Sequence, residues 1–266
     1  MPSQKVKFTN PPVEEVVFDL HLKRLDSIQF VHLAEIWNLY RSDFPNVQEM
    51  PPLPTSSEDF EAPWQQQNLA LTLSNEVNFP RLWFLAEDDA SLIQFQPDRF
   101  IYNWRKREAL PQYPSYSRIL PLFEKLARQL GSWVEGELDA KFNIRQIEIR
   151  YINSISHQEL QSLDDISSIF GRLNFALEGL QFSSVQPVHH GHERRVGRVL
   201  TELNSSRSDD DKSYVHWLSL TGKGRPDSES LSDAMKLMDF MHEVLTNHFA
   251  EISTDKAKRI WGYDES

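Results

Sequence analysis

The segment from Phe142 to Ile155, FNIRQIEIRYINSI, constrains the fold more than any other part of the chain. Apolar and polar residues alternate within it: the apolar positions are Ile147, Ile149 and Tyr151, and the polar positions are Gln146, Glu148 and Arg150. A period of two in a run rich in β-branched residues is typical of a strand with one buried and one polar face. The sequence therefore predicts a strand near the middle of the chain, with Asn153 placing a polar group on its buried side.

The composition predicts a folded, acidic protein. The 266 residues suffice for one large domain or two small ones, and they include seven Trp, sixteen Phe and only nine Gly. The net charge of −11 opposes nonspecific contact with phosphates, so nucleic acid is not expected as a partner.

The absence of cysteine removes several kinds of site at once. With no thiol in the chain, disulfides, thiolate catalysis and cysteine–zinc sites are excluded. The first residues lack the apolar core of a secretory signal, and no apolar run is long enough to cross a bilayer. These features predict a cytoplasmic protein without a membrane partner.

Two halves of the chain show the same order of predicted elements. The first half begins with a strand at 13–22 and a helix for which Asp26 is the predicted N-cap, with Gln29 at the capping-box position. A Pro-rich excursion at 46–78 follows, with a short strand predicted at 69–73. The half ends with predicted strands at 81–86, 92–96 and 100–104 and a long helix at 115–135.

The strand within 142–155 opens the same order again. A weak helix, strands at 180–188, 194–204 and 213–221, and a final helix capped by Ser230 with Asp233 follow it. The sequence thus predicts an α+β protein, a duplicated strand–helix–three-strand–helix unit with mainly antiparallel sheet and long helices packed on it. The predicted divisions are a leader at 1–12, a first unit at 13–136, a second unit at 142–252 and a tail at 253–266.

The histidines at 189–192 form the sharpest polar cluster in the sequence. In an extended segment His190 and His192 point to the same side, so two imidazoles are available to one metal. No third ligand stands at a recognised spacing, and the alternative is a strand end with half-exposed histidines. No metal or other cofactor is therefore predicted. The chain also lacks a P-loop, a nucleophile elbow and a dinucleotide fingerprint.

Four residues on predicted strands are the candidates for contact with a ligand or partner. Arg150 offers a guanidinium that can bind a carboxylate or phosphate of a ligand. The alternative interpretation is that Arg150 forms an ion pair with an acidic neighbour in the protein. Asn153 offers a side-chain amide on the apolar side of the strand. The alternative interpretation is that this amide forms hydrogen bonds with backbone groups where the strand ends. Trp104 and Arg105, at the end of another predicted strand, complete the set.

Several short motifs, spread over nearly the whole chain, resemble one family. The motifs are Asn10 to Val16, Asp98-Arg99-Phe100, Asn103-Trp104-Arg105, Tyr113-Pro114, Arg150 to Asn153, His242 to Phe249, Ile252-Ser253-Thr254 and Trp261-Gly262. In this order they resemble the sporadically distributed family of uncharacterised bacterial proteins. The resemblance transfers no activity and no catalytic residues. The scattered distribution of that family implies mobile or accessory genes and a role in defence.

Three functions follow from these features. The first is a non-catalytic adaptor that engages a protein partner, with the excursion at 46–78 as a possible contact surface. The second is a small-ligand binder with an aromatic pocket lined by Trp83, Tyr102, Trp104 and Trp217. The third is a metal-dependent enzyme that uses the histidines at 189–192.

Overall fold

The structure, a computed structural model, describes residues 6–55, 58–64, 79–108, 112–155, 160, 162–170, 179–191, 194–207 and 214–265. The helices in these ranges are α1 (Phe30–Tyr40), α2 (Tyr116–Glu137), α3 (Leu163–Ile166), α4 (Leu231–Ile252) and α5 (Asp255–Trp261). The strands are β1 (Val6–Phe8), β2 (Val13–Leu22), β3 (Asn46–Met50), β4 (Arg81–Leu85), β5 (Ser91–Gln96), β6 (Arg99–Arg105), β7 (Ile144–Ile155), β8 (Gly179–His190), β9 (Arg194–Arg207), β10 (Tyr214–Gly224) and β11 (Tyr263–Glu265). The predicted α+β class is confirmed.

One antiparallel sheet of nine strands runs through both halves of the chain, in the order β3-β4-β5-β6-β2-β7-β10-β9-β8. Its centre is the antiparallel pair of β2 and β7, the opening strands of the two predicted units. From this centre outward, the first unit continues β6, β5, β4 and the second continues β10, β9, β8. The repeated element order in the sequence is thus matched by a repeated strand order, related by a half-turn about an axis through the centre of the sheet.

The apolar face of the sheet carries the long helices. On β2 the side chains of Val16, Phe18 and Leu20 are fully buried, as the alternating pattern requires. The Phe18 ring contacts that of Phe123 from α2 at a centroid distance of 5.4 Å. Burial of each such side chain contributes about 1.5–3 kcal/mol, so this layer supplies the main driving force for folding. Among the described residues, no helix is long and apolar enough to cross a membrane.

The opposite face of the sheet is polar and is crossed by residues 51–55 and 58–64, here called the strap. The strap is held by side chains of the strands beneath it. Gln96 accepts a hydrogen bond from the Leu53 amide at 2.9 Å, and Asp98 accepts one from the Thr55 hydroxyl at 2.7 Å. Part of the predicted Pro-rich excursion is therefore bound to the sheet through polar contacts.

The segments predicted as leader and tail pair with each other. Strands β1 and β11 form a separate two-stranded antiparallel sheet. Phe8 of β1 contacts Phe249 of α4 edge to face at 5.0 Å, and Trp261 of α5 stacks on the same ring at 5.0 Å. Both ends of the described chain are thus attached to α4.

Several local predictions need correction. The N-cap of α1 is Gln29 and not Asp26, because the intervening Ile28 is buried in the core and the helix begins only at Phe30. Strand β3 was not predicted, since its residues are mostly exposed and lack an apolar face. The strand predicted at 69–73 lies outside the described residues. The Ser230 cap of α4 is confirmed, with its side chain accepting from the Asp233 amide at 3.2 Å.

Candidate functional site

A cavity of about 810 Å³ lies on the helix side of the sheet, between α2, α4 and β1. We call it the aromatic cavity. Its wall includes Tyr113, Tyr116, Tyr151 and His242, and most of its surface is apolar. The period of two in β7 turns Tyr151 towards the helices, while Tyr116 stands at the start of α2 and His242 in the middle of α4. Residues from three elements that are distant in sequence therefore converge on one space.

Polar groups within the aromatic cavity contact one another in a chain. The hydroxyl of Tyr151 is 2.9 Å from Nδ1 of His242. The imidazole of His242 stacks on the Tyr116 ring, with centroids 3.7 Å apart and an angle of 8° between the planes. The Tyr116 hydroxyl donates to Asp239 at 2.8 Å. These contacts orient the side chains of the wall before any ligand arrives.

The tyrosine hydroxyls of this cavity stay protonated near neutral pH. Burial raises the pKa of Tyr151 well above its ordinary value, and the neighbouring Tyr113 raises it further. Burial and the adjacent Asp239 carboxylate raise the pKa of Tyr116 as well. Neutral hydroxyls donate and accept hydrogen bonds but do not act as phenolate bases. The arrangement is therefore suited to holding a polar group of a bound molecule.

Two of the four predicted contact residues lie at the aromatic cavity. Asn153 is 2% exposed and belongs to the cavity wall, and its side-chain amide donates to the Leu218 carbonyl of β10 at 3.0 Å. Trp104 is buried behind the wall, where its ring meets Tyr113 edge to face at 5.5 Å. Of the four candidates, Asn153 thus lies in the wall of the aromatic cavity and Trp104 lies behind it.

The other two predicted contact residues lie on the opposite face of the sheet. Arg150 donates to Glu148 at 2.8 Å and to Thr221 at 3.1 Å. Arg105 forms an ion pair of 2.7 Å with Asp89. Arg150 and Asn153 are three residues apart on one strand and lie on opposite faces, as the alternation in the sequence predicted.

The aromatic residues predicted to line one pocket are also divided between the faces. Tyr102 and Trp104 are buried on the helix side, whereas Trp83 donates to Gln94 on the polar side and Trp217 is 40% exposed. The alternation within each strand explains this division, because Trp83 follows the buried Leu82 on β4 and Trp217 precedes the buried Leu218 on β10, so both point away from the core. The pocket prediction was wrong in its lining residues.

The predicted histidine pair is described only in part. His190 is exposed at the end of β8, and its ring meets Phe240 edge to face at 5.3 Å. His192 lies outside the described residues. A metal shared by these two histidines therefore stays an interpretation of the sequence.

A three-residue cluster that sequence reasoning missed lies at the centre of the polar face. Asp19, His21 and Glu148 are all buried, and each brings one ligand atom within 4.8 Å of the others. Arg99 forms an ion pair of 2.6 Å with Asp19, and Lys223 lies 3.6 Å from Glu148. Because these cations already neutralise the carboxylates, the electrostatics favour an ion-pair network over a site for a divalent cation.

The strap joins this network through Glu58. Its carboxylate contacts Arg198 at 3.0 Å and Lys223 at 2.8 Å. Burial alone would raise the pKa of Glu58, but Lys223 and Arg198 outweigh that effect and lower it. The ionised carboxylate of Glu58 therefore anchors the strap to the sheet.

His21 makes the stability of this network dependent on pH. Burial opposes protonation, but the nearby Asp19 outweighs burial and raises the pKa of His21. A raised folded-state pKa means that His21 stabilises the fold fully below its unfolded pKa of about 6.5. The contribution is lost as the pH rises through the folded-state pKa. We expect the difference in free energy of unfolding between wild type and His21→Gln to be largest near pH 6 and to shrink towards pH 9, as measured by urea denaturation.

The exposed His189 provides a control for this experiment. His189→Gln should differ from wild type by about 0.5 kcal/mol or less at each pH. A His21→Gln difference that stayed constant or grew with pH would contradict the assignment of a raised pKa. The pKa of Asp19 is lowered, and its own contribution is lost only in acid, outside this range.

Comparison with protein-family models, curated proteins and solved structures found no match to this chain. The resemblance to the sporadically distributed bacterial family stays a prediction.

Proposed function

We propose that this protein binds a small organic molecule in the aromatic cavity. The observation that supports this most strongly is the convergence of Tyr116, Tyr151 and His242 in a mostly apolar space of about 810 Å³. Small-molecule sites are typically about 300–1,000 Å³, apolar over most of their surface and equipped with a few oriented polar groups. The aromatic cavity has all three properties.

The charges around the cavity favour a neutral or cationic ligand. Asp239 and Glu243 from α4 contribute two carboxylates to the wall, and Lys7 from β1 contributes the one Lys or Arg side chain among the described lining residues. Aromatic rings and carboxylates together attract ammonium groups through their negative faces and charges. We therefore propose a ligand with an aromatic or apolar body and an amine or hydrogen-bonding head group.

The adaptor function, the protein partner and the link to defence stay predictions from the sequence. Phe30 and Val31 at the start of α1 are 52% and 63% exposed, but single exposed apolar residues are common on protein surfaces. The aromatic cavity is the more specific feature, and it supports ligand binding as the leading proposal.

Filling the cavity tests the proposal. Thr246 of α4 is half-buried and lies in the wall, so Thr246→Trp should occupy the space where a ligand would sit. As probes we would use indole, tryptamine and indole-3-acetate, which share one ring system and differ in charge. We expect tryptamine to raise the melting temperature of wild type most and indole-3-acetate least. A ligand at a hundred times its Kd should raise the free energy of unfolding by about 2.7 kcal/mol. Thr246→Trp should abolish the gain.

Ser232→Trp is the matched control, because Ser232 is exposed in the first turn of the same helix and outside the cavity wall. It should retain the response of wild type to tryptamine. The proposal fails if none of the three probes stabilises wild type more than Thr246→Trp, or if Ser232→Trp loses the response equally.

A further inference from the structure

A second cavity, of about 430 Å³, lies on the polar side of the sheet, between the strap, the start of β7 and the loop that follows β10. We call it the polar cavity. It is separated from the aromatic cavity by the sheet itself, and the two share no lining residue. His21, Arg99, Arg145, Gln146 and Arg225 all reach its wall. The side chains that can donate hydrogen bonds are therefore concentrated here.

Gln146 provides an observation independent of charge. It is 3% exposed, and its side-chain oxygen accepts from the Glu58 amide of the strap at 3.3 Å. This contact orients the amide, yet the buried Nε2 has no hydrogen-bond partner among the described residues. Leaving a buried donor unsatisfied costs about 1–3 kcal/mol, so such a group at a cavity wall indicates a missing acceptor.

Two arginines at the polar cavity lack a carboxylate partner. Within the described residues Arg145 makes no ion pair, and Arg225 contacts only the backbone carbonyl of Glu58, at 3.4 Å. Both side chains belong to exposed residues on the rim, so they can turn towards a ligand without disturbing the core. Guanidinium groups suit oxyanions because their donors match two oxygen acceptors at once.

The acidic residues of the same wall are mostly engaged elsewhere. Asp98 accepts hydrogen bonds from Thr55 and Gln96, each at 2.7 Å. Asp227 pairs with Arg194 at 2.6 Å, and Glu58 is held by Arg198 and Lys223. Glu229 remains as an exposed carboxylate at the rim. Arg145 and Arg225 therefore form no ion pair with these carboxylates, although Asp98 and Glu229 formally balance their charge within the wall.

We propose that the polar cavity binds an oxyanion, a phosphate or carboxylate group of a small molecule, through Arg145, Arg225 and Nε2 of Gln146. The bound oxygens complete the hydrogen bonding of the buried amide and neutralise the two guanidinium groups. The proposal stands apart from ligand binding in the aromatic cavity, since the two sites have different lining residues and opposite charge preferences.

The test measures binding of inorganic phosphate and of succinate by titration calorimetry, with chloride at matched ionic strength as the reference. The double variant is Arg145→Gln with Arg225→Gln. The charge-matched control variant is Arg118→Gln with Lys125→Gln, two exposed residues of α2 on the other side of the sheet. We expect phosphate or succinate to bind wild type and the control variant equally, and the double variant at least about tenfold more weakly. The anion that binds more tightly identifies the ligand class.

Three outcomes would overturn the proposal: no heat or stabilisation of wild type beyond that in chloride, unchanged binding in the double variant, or an equal loss in the control variant Arg118→Gln with Lys125→Gln. An equal loss would show that net charge alone attracts the anion. Because both substituted residues are exposed, the double variant should melt at the wild-type temperature without added anion, which keeps the comparison valid if binding is lost.

Discussion

Arg198→Met should lower the free energy of unfolding by about 3–5 kcal/mol, because it removes one member of a buried ionic contact and leaves the others unpaired. The Arg198 side chain is 6% exposed and forms an ion pair with Glu58 at 3.0 Å. It also donates to the backbone carbonyls of Asp59 and Ala62, and its guanidinium lies 5.5 Å from the Phe60 ring centroid. Methionine fills the space of the aliphatic stem but satisfies none of these acceptors. Urea denaturation measures the loss.

The same substitution should release the strap from the sheet. Endoproteinase Glu-C, which cleaves after glutamate, should cut Arg198→Met at Glu58 or Glu61 faster than wild type under native conditions. Arg128→Met is the control: its ion pair of 2.5 Å with Glu124 lies on the exposed surface of α2, where such pairs contribute about 0.3–0.5 kcal/mol. Equal destabilisation by the two substitutions would show that Arg198 does not anchor the strap.

Gly197→Ala should also destabilise the protein strongly, by about 3 kcal/mol, because β9 and its neighbours pass too close at this point for a side chain. A Cβ added to Gly197 would lie 2.0 Å from the Lys223 carbonyl oxygen and 2.4 Å from the terminal methyl of Met241. The carbonyl belongs to the neighbouring β10 and cannot move without breaking the ladder between the strands. We expect the melting temperature to fall by about 6–12 °C, measured by circular dichroism.

Gly136→Ala is the matched control for this prediction. Gly136 lies in α2, and a Cβ there would meet nothing within 4 Å. Since alanine favours a helix over glycine, we expect a gain of about 0.5–1 kcal/mol in the free energy of unfolding. A loss of less than about 1 kcal/mol for Gly197→Ala would contradict the close approach of β9, β10 and α4 described above.

Much of the secondary structure could be predicted because its signals are local. The alternation in β7 and the Ser230 cap of α4 each depend on a few neighbouring residues and were correct. The start of α1 was wrong because a second capping candidate, Asp26, competed with Gln29, and only burial of Ile28 decides between them.

The residues that line the aromatic cavity were predicted much less well than the fold. Asn153 and Trp104 were identified as candidates, but the set formed by Tyr113, Tyr116 and His242 was not. His242 lies among the methionines of α4, and a histidine in such a run is by itself typical of core packing. The Tyr116 hydroxyl and its partner Asp239 are 123 residues apart, and no sequence spacing predicts that they meet.

The sequence by itself determined the kinds of elements and their order, the lack of thiol chemistry and the acidic character of the chain. These properties follow from composition and from interactions within one helical turn or one strand. Only the tertiary structure decided that β2 and β7 lie side by side, that the strap crosses the polar face and that two cavities lie on opposite sides of one sheet. Each of these depends on contacts between distant segments, such as Glu58 and Arg198, which are 140 residues apart. Whether such contacts form depends on the packing of the whole chain, because their energy must exceed the entropy lost in closing long loops.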